Sequence, residues 1–551
     1  MATLGLTDII GPIMVGPSSS HTAGALRIAF MARRLCLAEP RSVEFRLLGS
    51  FAHTLTGHGT DKALVAGMLG LATDDLRIRD SFELAEQAGL SFRFTTLPDA
   101  DDYEHPNTID ILMQDAAGNK MSVRGESVGG GAAVIRRIDG IDVYVTGEST
   151  SIVVRQRDVA GVLAHIAQSL SERGVNIATT RMYRERRGDT AYTVLETDQD
   201  VDVAAKTAIE SNPAIYDVRI IPGDAGSAAP CASAGASDEG CDAQQSAEAL
   251  DRALQRFANL DFASGADLLA WCETNGASLS EAFLAREAAL AASLGQADTS
   301  KCYLDLALSV MKRAATQPVR ETLPSMGGLL GGEARKLTDL RARGEALCDD
   351  QLSAAMTYAM AVLETNASMG RIVAAPTAGS AGVLPGVLLA LQDSKGFADE
   401  DLARGIATAA AIGYLITRNA TVSGAEGGCQ AEIGSAAAMA AAAAVELAGG
   451  TPAQCLNAAG NALTNMMGLV CDPVAGLVEV PCQKRNASGA ATALVSAQIA
   501  LAGIGNLVDF DQTVTVMDKV GRSLPFELRE SALGGIAAAP AACAWCAQCG
   551  A

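Results

Sequence analysis

Residues 419–487 decide how this chain is read; they open NATVSGAEGGCQAEIGSAAAMAAA (419–442) and close LVCDPVAGLVEVPCQKRNA (469–487). They set Cys429, Cys471 and Cys482 among glycines and prolines. The intervals are far wider than the CxxC pairs of a structural zinc site, so ligands would come from loops at the ends of different helices. Three thiolates leave one coordination position open, which marks a catalytic metal rather than a closed structural one. The competing reading, three core thiols, suits mid-helix cysteines better than the turn settings EGGC and VPC.

Outward from that stretch, residues 247–551 read as helices with Gly-rich interruptions and no convincing strand. Ser435 to Gly450 and Ala487 to Gly505 are apolar but built from Ala, Gly and Ser, which transfer poorly into lipid, so they are expected as core helices rather than membrane spans. Residues 223–246 are small, polar and aperiodic, a flexible linker with Cys231 and Cys241 as free thiols. Residues 149–222 give strand 151–157, helix 158–173, strands 175–186 and 190–197, helix 202–212 and strand 215–221, the ferredoxin-like βαββαβ order. Residues 1–148 read as α/β: helix 21–37, strand 42–50, helix 61–71, strands 90–97 and 108–113. The connecting loops GPSSSHT (16–22), GHGTD (57–61), HPNT (105–108) and ESVGGG (126–131) carry the polar chemistry. The expected fold is thus multidomain: α/β, then ferredoxin-like, then a mostly all-α catalytic domain.

A chain of 551 residues is too long for one core. Its formal net charge of −21 argues against nucleic acid and anionic membranes as partners and favours a small-molecule enzyme. The opening MATLGLTDIIGPIMVGPSSS lacks a basic n-region and a long apolar h-region, so a cytoplasmic location is expected. Thirteen cysteines without an export signal are no disulfide framework; Cys36, Cys272, Cys302, Cys348 and Cys455 read as small core residues.

The motifs EGGCQAEIG, CDPVAGLVEVPCQKRN and PTAGSAGVLPGVL, with GPSSSHTAG and GHGTDKA towards the N-terminus, resemble the bacterial iron-sulfur L-serine dehydratases. The resemblance implies a [4Fe-4S] cluster on Cys429, Cys471 and Cys482, acting as Lewis acid on the hydroxyl of L-serine. It also implies a tail cysteine as displaceable fourth ligand: Cys543 by its place near Gly534 and Gly535, with Cys546 and Cys549 as alternatives. The order of parts resembles the two-chain form of these enzymes fused into one chain, with a site assembled across its two halves or between protomers of a homo-oligomer, expected as a dimer. Residues 149–222, with DVAGVL and GVNIATT, resemble an ACT domain, which implies amino-acid binding near Gly161 and Asn176; Ala160 departs from the usual proline there.

The base should titrate near neutrality, and the chain has five histidines. His58, between two glycines, is expected as the base and His21 as a hydrogen-bonding partner of substrate or cluster; His53 and His105 rank lower and His165 reads as structural. Carboxylate recognition is expected from Ser18, Ser19 and Ser20 and from Thr377 and Ser380 in PTAGSAG, as hydroxyls and amides at helix starts. Lys484, Arg485 and Asn486 would add charge and an amide. Pyridoxal phosphate is the rival cofactor, but neither Gly129–Gly131 nor MGGLLGGE (326–333) has the strand, helix and lysine context it needs. Two other functions remain open: an amino-acid sensor with a non-catalytic redox cluster, and a cluster lyase for another hydroxy acid.

Overall fold

The computed structural model describes residues 4–223 and 243–549 apart from 98–99, 101–102, 185 and 198. Cys231 and Cys241, with most of the expected linker, lie outside the described residues. The chain divides into two compact units, Ser20–Ala228 and the combination of Met1–Ser19 with Ala229–Ala551.

In the first unit a six-stranded sheet runs, edge to edge, Ser91–Leu97, Pro40–Leu48, Thr108–Asp115, Lys120–Gly129, Ala132–Ile138, Ile141–Val145. Only the pair Pro40–Leu48 with Ser91–Leu97 is parallel. The last three strands were not anticipated from the sequence. ESVGGG is not an isolated loop: Glu126 to Gly129 end a strand, and Gly129, Gly130 and Gly131, all at positive φ, turn the chain into the next. Helices Ala25–Leu35 and Thr60–Leu69 pack together, and Gly67 makes this possible, since a Cβ there would stand 2.4 Å from the Leu26 carbonyl oxygen.

The ferredoxin-like segment matches its expected order strand for strand: Thr150–Arg157, Ile177–Arg184, Thr190–Thr197 and Ile215–Ile221, with helices Val162–Ser171 and Val203–Glu210. Its sheet order places Ile215–Ile221 at one edge and Ile177–Arg184 at the other. Ile152, Val154, Ile166, Leu170, Leu195, Ile209 and Val218 form its core.

The second unit is helical, as expected, around Ser435–Leu447, which is buried continuously from Ser435 to Val445. Helices Asp399–Asn419, Pro452–Met466, Cys482–Leu501 and Val383–Lys395 surround it. A run of alanines has no large face to favour one neighbour, so helices approach from every side. Among the described residues no helix is long and apolar enough to cross a membrane.

Two features depart from the sequence expectation. A short strand does exist in the C-terminal half, Arg371–Val373, paired antiparallel with Ile13–Val15. The first residues therefore belong to the helical unit rather than to the α/β one. Leu6 N–H donates to Glu287 Oε2 at 2.7 Å, Tyr303 Oη donates to the Ile10 carbonyl, and Ile9 is wholly buried against Gly413. Of the expected core cysteines, Cys272 and Cys455 are buried, Cys36 and Cys348 are half-buried, and Cys302 is exposed on helix Ser300–Arg320.

Candidate metal centre and substrate site

Each of the three cysteines stands at a helix start or in a loop. Cys429 precedes the wide turn Gln430–Gly434 that feeds Ser435–Leu447, Cys471 lies beyond the end of Pro452–Met466, and Cys482 is the first residue of Cys482–Leu501. All three are buried. The ligand atoms of Cys429, Cys471 and Glu432 lie within 4.8 Å of one another. The Cys471 thiol is held well above its ordinary value by its hydrogen bond to Cys429 and by burial; that of Cys482 is raised by burial and by the charges of Cys429 and Glu432. Burial likewise raises the Glu432 carboxyl. Soft sulfur donors crowded with a carboxylate are costly to ionise together, and a bound cation relieves that cost. The donor set therefore fits a thiolate-bound metal group.

The surrounding chain fixes these loops. Arg485 pairs with Asp472 at 2.8 Å and donates to the Val470 carbonyl at 2.7 Å. Asp472 also accepts the Ile536 N–H at 2.7 Å, while Cys471 N–H donates to Leu528 and Glu530 N–H donates to Cys471, each at 2.8 Å. The Glu530 carboxyl is pushed up to about 8 by burial and by Glu432. Glu479 accepts from Ser325 Oγ (2.8 Å), Gly327 N–H (2.7 Å) and Leu329 N–H (2.9 Å), and Glu364 accepts from Ala334 N–H (2.7 Å) and Gly332 N–H (3.2 Å). Of the amides of MGGLLGGE, those of Gly327, Leu329, Gly331 and Gly332 are taken by the chain's own carboxylates and those of Gly328 and Leu330 by Ser325 Oγ.

Two loops expected separately to hold a carboxylate come together in the helical unit. Ala378 N–H donates to Ser19 Oγ at 2.9 Å, and Asn366 Nδ2 reaches both the Pro17 and Ala378 carbonyls. Thr377 Oγ1 donates to Glu432 Oε1 at 2.8 Å, which links PTAGSAG to the sulfur cluster. Asn486 accepts the Gly382 N–H at 3.0 Å and donates to the Gly379 and Cys482 carbonyls. The N–H groups of Thr377, Ala378, Ser380, Ala381 and Gly382 have partners within the chain, and the hydroxyls of Thr377 and Ser380 donate to Glu432 and to the Ala375 carbonyl. Ser18 and Ser380 are buried, whereas Lys484 is exposed, on the far side of the helix turn from Asn486. Of the tail thiols, Cys543 is exposed with Sγ 3.9 Å from the Ala537 carbonyl, Cys546 is half-buried, and the side chain of Cys549 lies outside the described residues.

In the α/β unit His21 and His58 are wholly buried, with ring centroids 4.4 Å apart. His21 bonds through both nitrogens, Nδ1 to Ser20 Oγ and Nε2 to Ser50 Oγ, each at 2.9 Å. Neither ring nitrogen of His58 has a hydrogen-bond partner among the described residues, and burial brings its pKa down to about 4. His105 accepts the Asn107 N–H at 3.1 Å, His53 is exposed, and His165 bonds the carbonyls of Ala208 and Ile209. In the ferredoxin-like module Gly161 starts a helix at φ 92°, with open space where a Cβ would be, and Asn176 N–H donates to Gln199 Oε1 at 2.7 Å; both are exposed.

Sequence reasoning did not single out Glu432, Asp472, Glu479 or Glu364. Their one signal was local: an acid set in a run of small and apolar residues must be buried with partners or with a purpose.

Comparison with known proteins matches residues 274–537 to the family described as serine dehydratase alpha chain, 6–137 to serine dehydratase beta chain and 150–214 to the ACT domain. The L-serine dehydratase of Streptomyces coelicolor is 30% identical over 534 residues, 95% of this chain and 96% of the relative. The probable L-serine dehydratase alpha chain of Bacillus subtilis is 50% identical over 43% of this chain and 79% of its own length. The L-serine dehydratase beta chain of Peptoniphilus asaccharolyticus is 43% identical over 37% of this chain and 90% of its own length.

Proposed function

Because the chain belongs to the L-serine dehydratase family, we propose that it deaminates L-serine to pyruvate and ammonia at a [4Fe-4S] cluster held by Cys429, Cys471 and Cys482. The observation that carries the site is the convergence of buried Cys429 and Cys471 with half-buried Glu432 within 4.8 Å, with Cys482 in the same electrostatic neighbourhood. Bound there, such a cluster supplies a Lewis acid that makes the serine hydroxyl able to leave. The tail thiols Cys543, Cys546 and Cys549 are the candidates for the position that three ligands leave open.

The remaining work falls to the chain. His58 is neutral at physiological pH, because burial disfavours its cation, and in our reading it accepts the Cα proton on a ring nitrogen. His21, fixed through both nitrogens by Ser20 and Ser50, orients its neighbour or the substrate. Ser18, Ser19, Thr377, Ser380 and Asn486 orient the substrate carboxylate by hydroxyl and amide contacts, and Arg485 keeps the Cys471 loop in place. Loss of the hydroxyl leaves 2-aminoacrylate, which hydrolyses to pyruvate and ammonia. The ACT module, through Gly161 and Asn176, is proposed to take an amino-acid effector.

Anaerobic purification followed by iron and sulfide analysis and a pyruvate assay with L-serine tests this. A brown protein with oxygen-sensitive activity is expected; full activity in a colourless, iron-free sample would overturn the cluster reading.

A further inference from the structure

Glu432 converges with the thiols but is given no step in the scheme above. Its Oε1 accepts the Thr377 hydroxyl at 2.8 Å and its Oε2 lies 3.9 Å from Cys471 Sγ. Two glycines let the backbone close around it: a Cβ on Gly424 would stand 2.6 Å from Oε2, and one on Gly379 would stand 3.2 Å from Oε1. Cys429, Cys471, Thr377 and Asn486 are buried outright and Glu432 is half-buried. Among the described residues Glu432 forms no ion pair. Arg485, whose charge acts on Glu432, is committed to Asp472 and to the Val470 carbonyl. The site thus holds an enclosed acceptor without a direct ion-pair partner among the described residues, one hydrogen bond from the loop assigned to the substrate carboxylate.

An α-amino acid carries its ammonium and its carboxylate on the same carbon. From this match we infer that Glu432 is the acceptor for the substrate ammonium and the residue by which the site selects amino acids over 2-hydroxy acids; the inference rests on the serine dehydratase reading. Thr377 holds one carboxylate oxygen and leaves the other for the ammonium. A substrate of the same size without the amine, such as glycerate, would leave Glu432 enclosed and unpaired. Sites built to bond an N–H reject analogues that lack it far more strongly than apolar pockets reject a missing methylene.

The test is equilibrium binding of L-serine, N-acetyl-L-serine and glycerate to anaerobically reconstituted holoenzyme, wild type and Glu432→Gln, with iron and sulfide measured on both. The wild type should prefer L-serine to either analogue by at least about 100-fold. In Glu432→Gln the serine affinity should fall by about that factor while glycerate affinity and iron content stay unchanged. Equal loss for serine and glycerate, or a fall in iron content, would assign Glu432 to the loop or the metal and overturn the inference. Wild-type protein that binds all three ligands alike would overturn it without any variant. A wild-type protein that makes no pyruvate from serine would instead sink the functional reading.

Discussion

The contact between Ile9 and Gly413 tests whether the first residues are a built-in part of the helical unit. Ile9 is wholly buried, and a Cβ at Gly413, inside helix Asp399–Asn419, would stand 2.5 Å from Ile9 Cγ2 and 3.0 Å from Met439 Cε. The methionine can swing away; the β-branched methyl cannot, because its rotamer is fixed by its neighbours. Gly413→Ala should therefore cost about 3 kcal/mol in overpacking, offset by roughly 1 kcal/mol of helix propensity, for a net loss near 2 kcal/mol. Ile9→Ala alone should cost about 2 to 4 kcal/mol through the cavity it opens. Combined, the new methyl enters that cavity, the clash vanishes and the propensity gain remains, so Gly413→Ala becomes neutral or stabilising, a coupling of about 2 to 3 kcal/mol. Both tryptophans, Trp271 and Trp545, lie in the helical unit, so urea unfolding followed by tryptophan fluorescence reads this unit directly. If Gly413→Ala costs the same with Ile or Ala at position 9, the first segment is not seated as described.

Glu479→Gln replaces an acceptor of two amides and a hydroxyl by a group half of which is a donor; at about 1.5 kcal/mol or more per charged bond, exchange of the Gly327 and Leu329 amides should accelerate by at least about 100-fold in hydrogen-exchange mass spectrometry, and unchanged protection would refute the clamp. His58, with a pKa of about 4 in the fold against 6.5 when free, leaves the folded chain binding fewer protons than the unfolded one between those values. Its stabilising contribution is thus complete above pH 6.5 and lost as pH falls towards 4, about 3 kcal/mol in all. If His58 is the base, kcat/KM should stay flat down to about pH 5 with an acid limb near 4; a limb near 6.5 would assign the base elsewhere.

What could be read from the sequence is what local pattern determines. The ferredoxin-like module alternates strand and helix within 72 residues at the spacing of its own hydrogen bonds, and each element was placed to within a few residues. The pairing of Ile13–Val15 with Arg371–Val373 has no local signature: three residues show no periodicity, and their partner lies across most of the chain. Strands Lys120–Gly129 and Ala132–Ile138 were hidden by a glycine triplet that reads as a loop and is in fact a hairpin turn. At the site, the sulfurs were legible because their chemistry is rare, and Thr377, Ser380 and Asn486 because hydroxyls and amides at helix starts are informative. Lys484 was grouped with Arg485 and Asn486 by adjacency, but successive helical residues point about 100° apart, so a run of three cannot all face one loop. The acids were missed because their small and apolar surroundings announce burial but not the partner, which lies far along the chain.

Those acids explain how a chain of net charge −21 can afford an anionic centre. Asp472 is neutralised by Arg485, and Glu479 and Glu364 are satisfied by backbone amides, so each removes a donor or cation from the neighbourhood while fixing a loop. By this distribution the Gly327, Leu329 and Gly332 amides and the Arg485 guanidinium all have partners within the chain. What remains is the group of Cys429, Cys471, Cys482 and Glu432, where burial and mutual proximity hold the Cys471 and Cys482 thiols and the Glu432 carboxyl above their ordinary values. Burial disfavours the ionised form of these groups, so ionising them together costs free energy that a bound cation would offset. On the proposals made above, metal on the sulfurs and ammonium on the carboxylate would each offset part of that cost.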